Sequence, residues 1–251
     1  MFDALIQGLG DDFAFKRNVR SVSGQVEDLQ IAYDIQDRLR PYIGKICGRK
    51  IAANAPALMN AAGLDTPIFG LIIGQEALST ESALCISDYA QLVLEPEFAA
   101  VVGRNVPAGM VLSTEILSEY VDRFSMAFEV LDRRNDTQAM HGPTYVVNNV
   151  FNAGVVLDDA KLDMNVLEQG AYAANFTESN KILFSGENTA PQNPLEACVC
   201  VINHFTARGE TVKSGEVVLC GAHHPPIVIS AEGRYDFRLS SGEEVSLTTL
   251  V

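Results

Sequence analysis

The sequence contains no tryptophan and few basic residues. Among its 251 residues, 18 lysines and arginines stand against 32 aspartates and glutamates, which gives a net charge of −14. A surface of this charge repels phosphate backbones and anionic lipids, so nucleic-acid binding and membrane-surface binding are not expected. No segment reaches the ~20 apolar residues that are needed to cross a bilayer. The hydrophobic fraction of 47% is still enough for one large core, which argues against a disordered or fibrous chain.

Paired cysteines and several common catalytic motifs are also missing. The five cysteines are an odd number, and no two of them form a C-x-x-C pattern, which is typical of a reduced intracellular protein. The first 17 residues lack the basic region with which a secretory signal begins, and they carry Asp11 and Asp12 in their middle, so we expect no secretory signal and a cytoplasmic location. A glycine-rich phosphate loop and a nucleophile elbow are absent too, so nothing indicates nucleotide binding or serine-hydrolase chemistry.

The chain divides by pattern into a helical part and a strand-rich part. Residues 1–65 are predicted to be mainly helical, with Leu29, Ala32, Ile35 and Leu39 at helical spacing along one face. Residues 66–251 carry short β-branched and aromatic runs, with helices predicted at 114–124 and 193–209. Strands do not alternate regularly with helices, so a doubly wound parallel sheet is not expected. We predict one α+β domain over residues 1–251, a helical part followed by a curved mixed sheet.

Three glutamates lie inside apolar strand patterns. Glu95 and Glu97 share one face of a predicted strand, with Cα atoms ~7 Å apart, and Glu129 lies in a second apolar strand. Each has an ordinary interpretation: Glu95 and Glu97 on a solvated strand face, and Glu129 on an edge strand or paired with an arginine that follows it. If the two strands are neighbours, the three carboxylates form an all-oxygen site of the kind that Mg²⁺ prefers.

Lys50 and a histidine pair are further candidates. Lys50 follows Gly48 and Arg49 and precedes an apolar run. If it is desolvated, its pKa falls and it can act as a general acid or base; otherwise it is a surface lysine after a turn. His223 and His224 are adjacent, so on a strand they would face opposite sides, and we expect them at the rim of a loop rather than on one metal ion.

Six segments occur in an order that resembles a known family. They are AYDIQDRL, GKICGRKIAANAPALMNAAGLDTPIFG, EPEFAAVV, FEVLDRR, NNVFNAGVVLDD and NPLEACVCVINHFTARGETVKSGEVVLCGA. The same order is seen in the 2-keto-4-pentenoate hydratases and 4-oxalocrotonate decarboxylases of the fumarylacetoacetate hydrolase superfamily, and the resemblance covers residues 30–250. It implies a mixed β-roll like the C-terminal domain of that superfamily, a homo-oligomer, and a complex with a sister enzyme of the same pathway as a further possibility.

The resemblance also implies a set of site residues. It places a Mg²⁺ or Mn²⁺ ion on Glu95, Glu97 and Glu129, and it places the family's active-site lysine at Lys50. Substrate contacts are implied at Ile68, Asn149 and Phe151. The family usually has an acidic residue at Ile68 and a serine at Phe151, whereas both are apolar here. We therefore expect a substrate with an apolar distal end, and poor hydration of the simple pentadienoate.

The function implied by the resemblance is that of a lyase of aromatic catabolism. A divalent-metal-dependent hydratase would act on a small, anionic 2-hydroxydienoic or 2-oxo acid through a metal-stabilised enolate. Three alternatives stay open: a decarboxylase, a C–C hydrolase or tautomerase of a related 2-oxo acid, and a non-catalytic paralogue with a closed pocket. Three clustered carboxylates repel one another when no ion is bound, and their presence therefore favours an enzyme.

Overall fold

The computed structural model describes residues 2–136 and 140–251. The α-helices in these ranges are α1 (Asp3–Ala14), α2 (Leu29–Ile43), α3 (Pro56–Ala61), α4 (Gly142–Val147), α5 (Met164–Gln169) and α6 (Pro194–Ala207). The strands are β1 (Ile46–Ala52), β2 (Ile68–Ile73), β3 (Leu78–Ser79), β4 (Ser82–Cys85), β5 (Leu92–Val102), β6 (Val121–Asp132), β7 (Asn152–Leu157), β8 (Ala173–Glu178), β9 (Lys181–Glu187), β10 (Val217–Ala222), β11 (Ile227–Val228), β12 (Gly233–Leu239) and β13 (Glu244–Leu250).

The strands form two mixed sheets, which confirms the predicted α+β class. The larger sheet has the order β2-β1-β10-β5-β6-β7-β3, with β11 added beside β5, and the smaller has the order β4-β13-β12-β8-β9. In the larger sheet β1 and β10 run parallel, whereas β5 and β6 run antiparallel. β1 lies inside the region expected to be mainly helical, so the N-terminal part also supplies a strand of the larger sheet.

The two longest helices begin where the sequence places capping residues. The Asp28 carboxylate accepts hydrogen bonds from the backbone N–H groups of the first turn of α2, and the side chain of Asn193 does the same for α6. Ala32, Ile35 and Leu39 of α2 are buried in the main core, as the helical spacing predicts. No helix among the described residues is long and apolar enough to cross a membrane.

The helix predicted at 114–124 is wrong in its second half. A 3₁₀ turn covers Thr114–Glu119, and β6 begins at Val121. From there β6 pairs with β5 along nearly its whole length, from Val121 opposite Val102 to Asp132 opposite Leu92. Burial between two neighbouring strands outweighs the helical spacing of this segment, because local propensity is weak against tertiary pairing.

Candidate metal centre and cavity

The structure brings Glu95, Glu97 and Glu129 together in the middle of the larger sheet. Glu95 lies directly opposite Glu129 in the β5–β6 pair, and Glu97 is two residues further along β5 on the same face. One carboxylate oxygen from each of the three residues lies within 4.8 Å of the other two. Glu97 and Glu129 are buried and Glu95 is nearly so. The arrangement predicted from the two apolar strands is therefore present.

Backbone and amide groups hold two of these carboxylates in place. The register between β10 and β5 shifts between Leu219 and Ala222, and this irregularity turns the N–H of Gly221 towards Glu97 Oε2 at 2.8 Å. Gly221 has a φ of 106°, which other residues rarely adopt. Asn152 Nδ2 donates to Glu129 Oε1 at 2.8 Å. The carboxylates are thus oriented by the fold before any ion binds.

Lys50 is buried against the same carboxylates. Its Nζ lies 2.6 Å from Glu129 Oε1 and 3.4 Å from the carbonyl oxygen of Val150, and the residue is 1% exposed. Its neighbour in β2 is Gly70, where an added Cβ would come 3.2 Å from Lys50 Cγ, so the glycine leaves room for the lysine.

The pKa of Lys50 moves opposite to the expectation from sequence. Burial lowers this pKa, but the negative charges of Glu129, Glu95 and Glu97 outweigh burial and raise it above its ordinary value. The expected lowered pKa is therefore wrong for the protein without a cation, because the lysine is not only desolvated but also surrounded by carboxylates.

The three carboxylates carry more negative charge than Lys50 can neutralise. Burial, followed by repulsion from Glu129, raises the pKa of Glu95 to about 7 and raises the pKa of Glu97 well above its ordinary value. The buried Oε2 of Glu129 has no hydrogen-bond partner within residues 2–136 and 140–251. An all-oxygen donor set with excess negative charge and an unpartnered oxygen fits a hard divalent cation such as Mg²⁺ or Mn²⁺.

A cavity of about 520 Å³ opens beside this centre. Lys50, Glu95 and Glu97 line it, and Phe151, for which the resemblance implies a substrate contact, forms part of its wall. Ligand sites in proteins typically have volumes of ~300–1,000 Å³, so this cavity is large enough for a small organic acid.

Ile68 and Asn149 do not line this cavity, which corrects two of the implied substrate contacts. Ile68 is fully buried in the main core, opposite Ala52 in the β1–β2 pair. The Asn149 side chain binds the backbone of Leu71 twice, accepting from its N–H and donating to its carbonyl oxygen, each at 2.8 Å. Ile68 therefore packs in the core, and Asn149 holds the backbone of β2 in place.

Three polar residues of the cavity wall were not singled out from the sequence. Arg133 and Tyr145 line it on one side, and Thr189 lines it beside His223. Arg133 could have been found from strand alternation, because it lies four residues after Glu129 and so shares its face. Tyr145 lies in the short helix α4 and Thr189 comes two residues after β9, so strand alternation gives no such signal for either residue.

His223 and His224 do line the cavity, but His223 is not at an exposed rim. Its ring is buried against Phe98, and its Nδ1 lies 2.6 Å from Thr189 Oγ1. Burial lowers the pKa of His223 to about 3, so the imidazole is neutral. The cluster of possible metal ligands at this site consists of Glu95, Glu97 and Glu129.

Curated relatives of this chain carry hydratase names. The 2-keto-4-pentenoate hydratases of Paraburkholderia phymatum and Burkholderia vietnamiensis are each 27% identical over 213 residues, covering 83% of this chain and 81% of the relative. The 2-hydroxyhexa-2,4-dienoate hydratase of Comamonas testosteroni is 24% identical over 205 residues, covering 79% and 76%. No protein-family model matches the chain.

Solved structures give the fold. The 4-oxalocrotonate decarboxylase from Pseudomonas putida G7, complexed with magnesium and adipate, superposes with a TM-score of 0.85 at 17% identity, covering 98% of this chain and 96% of its own. The fumarylpyruvate hydrolase from Pseudomonas aeruginosa, complexed with Mn²⁺ and pyruvate, superposes with a TM-score of 0.58 at 14% identity, covering 83% and 90%. These similarities confirm the resemblance read from the six segments, and they confirm a fold of the fumarylacetoacetate hydrolase type.

Proposed function

We propose that this chain is a divalent-metal-dependent lyase, a hydratase or a decarboxylase, that acts on a small 2-oxo or 2-hydroxydienoic acid. The observation that carries the proposal is the convergence of three glutamates, two of them buried and one half-buried, beside a lysine and an open cavity; one of the buried glutamates has an unpartnered oxygen. The hydratase names of the relatives and the decarboxylase fold neighbour support the same class of chemistry.

The roles proposed for the site residues follow from their positions. Glu95, Glu97 and Glu129 would hold Mg²⁺ or Mn²⁺. The bound ion supplies Lewis acidity, which stabilises negative charge that develops on the 2-oxygen of the substrate. Lys50 holds a proton on Nζ at the cavity wall and delivers it to, or removes it from, the substrate's carbon chain. Phe151 gives that wall an apolar surface.

A C–C hydrolase or tautomerase would use the same centre, but no feature of the cavity favours either. A non-catalytic paralogue requires a closed pocket, whereas the cavity is present and Ile68, one of the two residues expected to close it, is not on its wall. The homo-oligomer and the complex with a sister enzyme remain proposals that rest on the resemblance, and the cytoplasmic location remains a proposal that rests on the N-terminal sequence and the unpaired cysteines.

Assays with defined substrates test the proposed reaction. Protein loaded with Mg²⁺ or Mn²⁺ is incubated with a 2-hydroxy-2,4-dienoic acid and with a 2-oxo-3-enedioic acid, and mass spectrometry separates gain of water from loss of CO₂. We expect metal-dependent turnover of at least one substrate, and the product decides between hydratase and decarboxylase. No turnover of either substrate, with metal bound, would favour the non-catalytic paralogue.

Glu97→Gln tests the metal centre itself. We expect its Mn²⁺ affinity, measured by calorimetry, to fall by more than the ~10–100-fold that loss of an outer-shell partner costs. Glu232→Gln removes an exposed glutamate outside the site and serves as the matched control. Circular dichroism checks that both variants are folded. Full Mn²⁺ affinity in Glu97→Gln would refute the assignment of the ligands.

A further inference from the structure

One face of β6 runs from the metal centre along the cavity and ends in an arginine. Glu129 belongs to the carboxylate cluster, and Leu131 and Arg133 line the cavity at the next two positions of the same face. The strand pairing continues to this point, because the N–H of Arg133 donates to the carbonyl oxygen of Gln91 at 3.0 Å. At ~3.3 Å per residue, the Cα atoms of Glu129 and Arg133 are ~13 Å apart.

The guanidinium of Arg133 is held from the protein side. Its Nη2 lies 3.1 Å from Asp136 Oδ2, and the Tyr145 hydroxyl donates to that same oxygen at 3.3 Å. The Arg133 Cζ lies 5.6 Å from the centre of the Phe151 ring. These contacts fix the plane of the guanidinium, so little side-chain freedom is left to lose when a ligand binds.

Arg133 keeps donors for a ligand. A guanidinium carries five N–H groups, and Asp136 takes one end of it. The Arg133 side chain is 28% exposed and lines the cavity, whereas the Asp136 carboxylate has no exposed surface and lies outside the cavity wall. The cation therefore faces the cavity, and its counter-charge lies behind it.

Along this face of β6 an apolar residue separates the two charged positions. Leu131 lies between Glu129 and Arg133, and Phe151 lines the same cavity. A monocarboxylic acid bound at the metal centre would leave the cavity side of the Arg133 guanidinium without a ligand, while Asp136 pairs with its other side. A carboxylate at the far end of the substrate would receive two parallel N–H bonds from the guanidinium, the geometry that arginine favours.

We propose that Arg133 is a specificity-determining residue that binds a second, distal carboxylate, so that the preferred substrate is a short dicarboxylic 2-oxo or 2-hydroxydienoic acid. The proposal rests on the proposed function for the metal end. It replaces the apolar distal end expected from sequence, because that expectation depended on Ile68, which lies in the core, and on Phe151, which contacts the arginine.

A pair of matched substrates tests the role of Arg133. The first is a 2-oxo-enedioic acid, and the second has the same chain with a methyl group in place of the distal carboxylate. If the reaction adds water, we expect the specificity constant kcat/KM of the wild type to be higher for the diacid. If it releases CO₂ from the distal carboxylate, the methyl-ended acid cannot react, and the binding comparison below takes the place of this ratio. In Arg133→Met the ratio of the two constants should fall about 10–100-fold, the usual effect of losing a hydrogen bond to a charged group. Arg133→Lys should keep part of the ratio, since lysine has the positive charge but cannot donate two parallel hydrogen bonds as a guanidinium does.

Arg123→Met is the control, because Arg123 lies on the same strand but outside the cavity, and it should leave the ratio unchanged. Equal loss of both substrates in Arg133→Met, or a wild type that prefers the methyl-ended acid, would overturn the role of Arg133 while the lyase function stood.

Direct binding separates the two proposals. Calorimetry with the Mn²⁺-loaded protein compares a saturated, non-reacting diacid with oxalate, which lacks a distal group. If no substrate turns over but Arg133→Met still loses diacid affinity and keeps oxalate affinity, the lyase proposal fails and the distal site stands. If diacid affinity is the same in both proteins, the distal site is refuted.

Discussion

Lys50 and a bound cation would share the carboxylate of Glu129. Without an ion, the ammonium lies 2.6 Å from Oε1 and its pKa is raised by the three glutamates. A dication on the same oxygens would offset that negative charge, and the effect of burial, which lowers the pKa, would then count for more. The acid–base role proposed for Lys50 therefore applies to the protein with a divalent cation bound, rather than to the metal-free protein.

Replacing Lys50 by Met should remove turnover and spare metal binding. A general acid or base usually contributes ~10²–10⁴-fold in rate, and we expect kcat to fall by that factor. Mn²⁺ and oxalate affinities, measured by calorimetry, should be kept, because the variant removes a cation that competes for Glu129. Lys45→Met, which removes an exposed lysine just before β1, is the matched control. An unchanged kcat in Lys50→Met would contradict the proposed proton transfer.

At the scale of elements, a left-handed segment connects α4 to β7 at the edge of the site. Asn149, Val150 and Phe151 have φ angles of 51°, 46° and 63°, and a β-branched residue such as Val150 rarely adopts this region. The segment places the carbonyl oxygen of Val150 near Lys50 and the ring of Phe151 on the cavity wall. Such strain persists when neighbouring contacts fix it, and here the amide of Asn149 binds Leu71 in β2.

Asn149→Ala should destabilise the fold through this segment. The change removes the side-chain partner of the buried N–H and carbonyl of Leu71. It also puts alanine, which adopts φ > 0 less readily than asparagine, into a left-handed position. We expect the free energy of unfolding, measured with urea, to fall by about 2–4 kcal/mol. Asn60→Ala in α3 removes an exposed asparagine and should change it little. A loss no larger than in this control would show that the segment is held by other contacts.

The elements show which parts of the site a sequence can predict. Glu95, Glu97 and Glu129 could be predicted as site residues because alternation within an apolar strand fixes which side chains share a face. The register that sets Glu95 opposite Glu129 could not be predicted, since a connection of 18 residues between β5 and β6 is consistent with several registers. The prediction for Ile68 was wrong for a related reason. The resemblance gave its position in the sequence, but whether its side chain reaches the cavity depends on packing that the sequence does not show.

At the scale of the whole molecule, the site lowers the stability of the metal-free fold as pH rises. The folded pKa of Glu95 is about 7, above the ordinary 4.5, so between these values the folded state holds a proton that the unfolded state releases. Stability contributed by this group is therefore present below about pH 4.5 and is lost as pH rises through about 7. Glu97 shifts in the same direction.

We therefore expect the Tm in a metal chelator to be lower at pH 8 than at pH 5.5, and the increase in Tm caused by Mg²⁺ to be larger at pH 8. Differential scanning calorimetry at both pH values measures the two effects. The net charge of −14 also favours unfolding at high pH through self-repulsion, and Glu95→Gln separates the contributions because it removes one site carboxylate alone. If the pH dependence of the Tm is the same in this variant as in the wild type, the effect comes from repulsion between surface charges rather than from Glu95.

Phe151 also belongs to the walls of two cavities. It lines the cavity of about 520 Å³ and, on its other side, a second cavity of about 290 Å³ that Arg134 and Asn152 also line. The space open to a ligand beyond Phe151 is therefore expected to depend on this one side chain. Leu131 and Tyr145 pack against the ring in its present rotamer. We expect a smaller side chain at position 151 to admit a more branched ligand without any movement of the sheet.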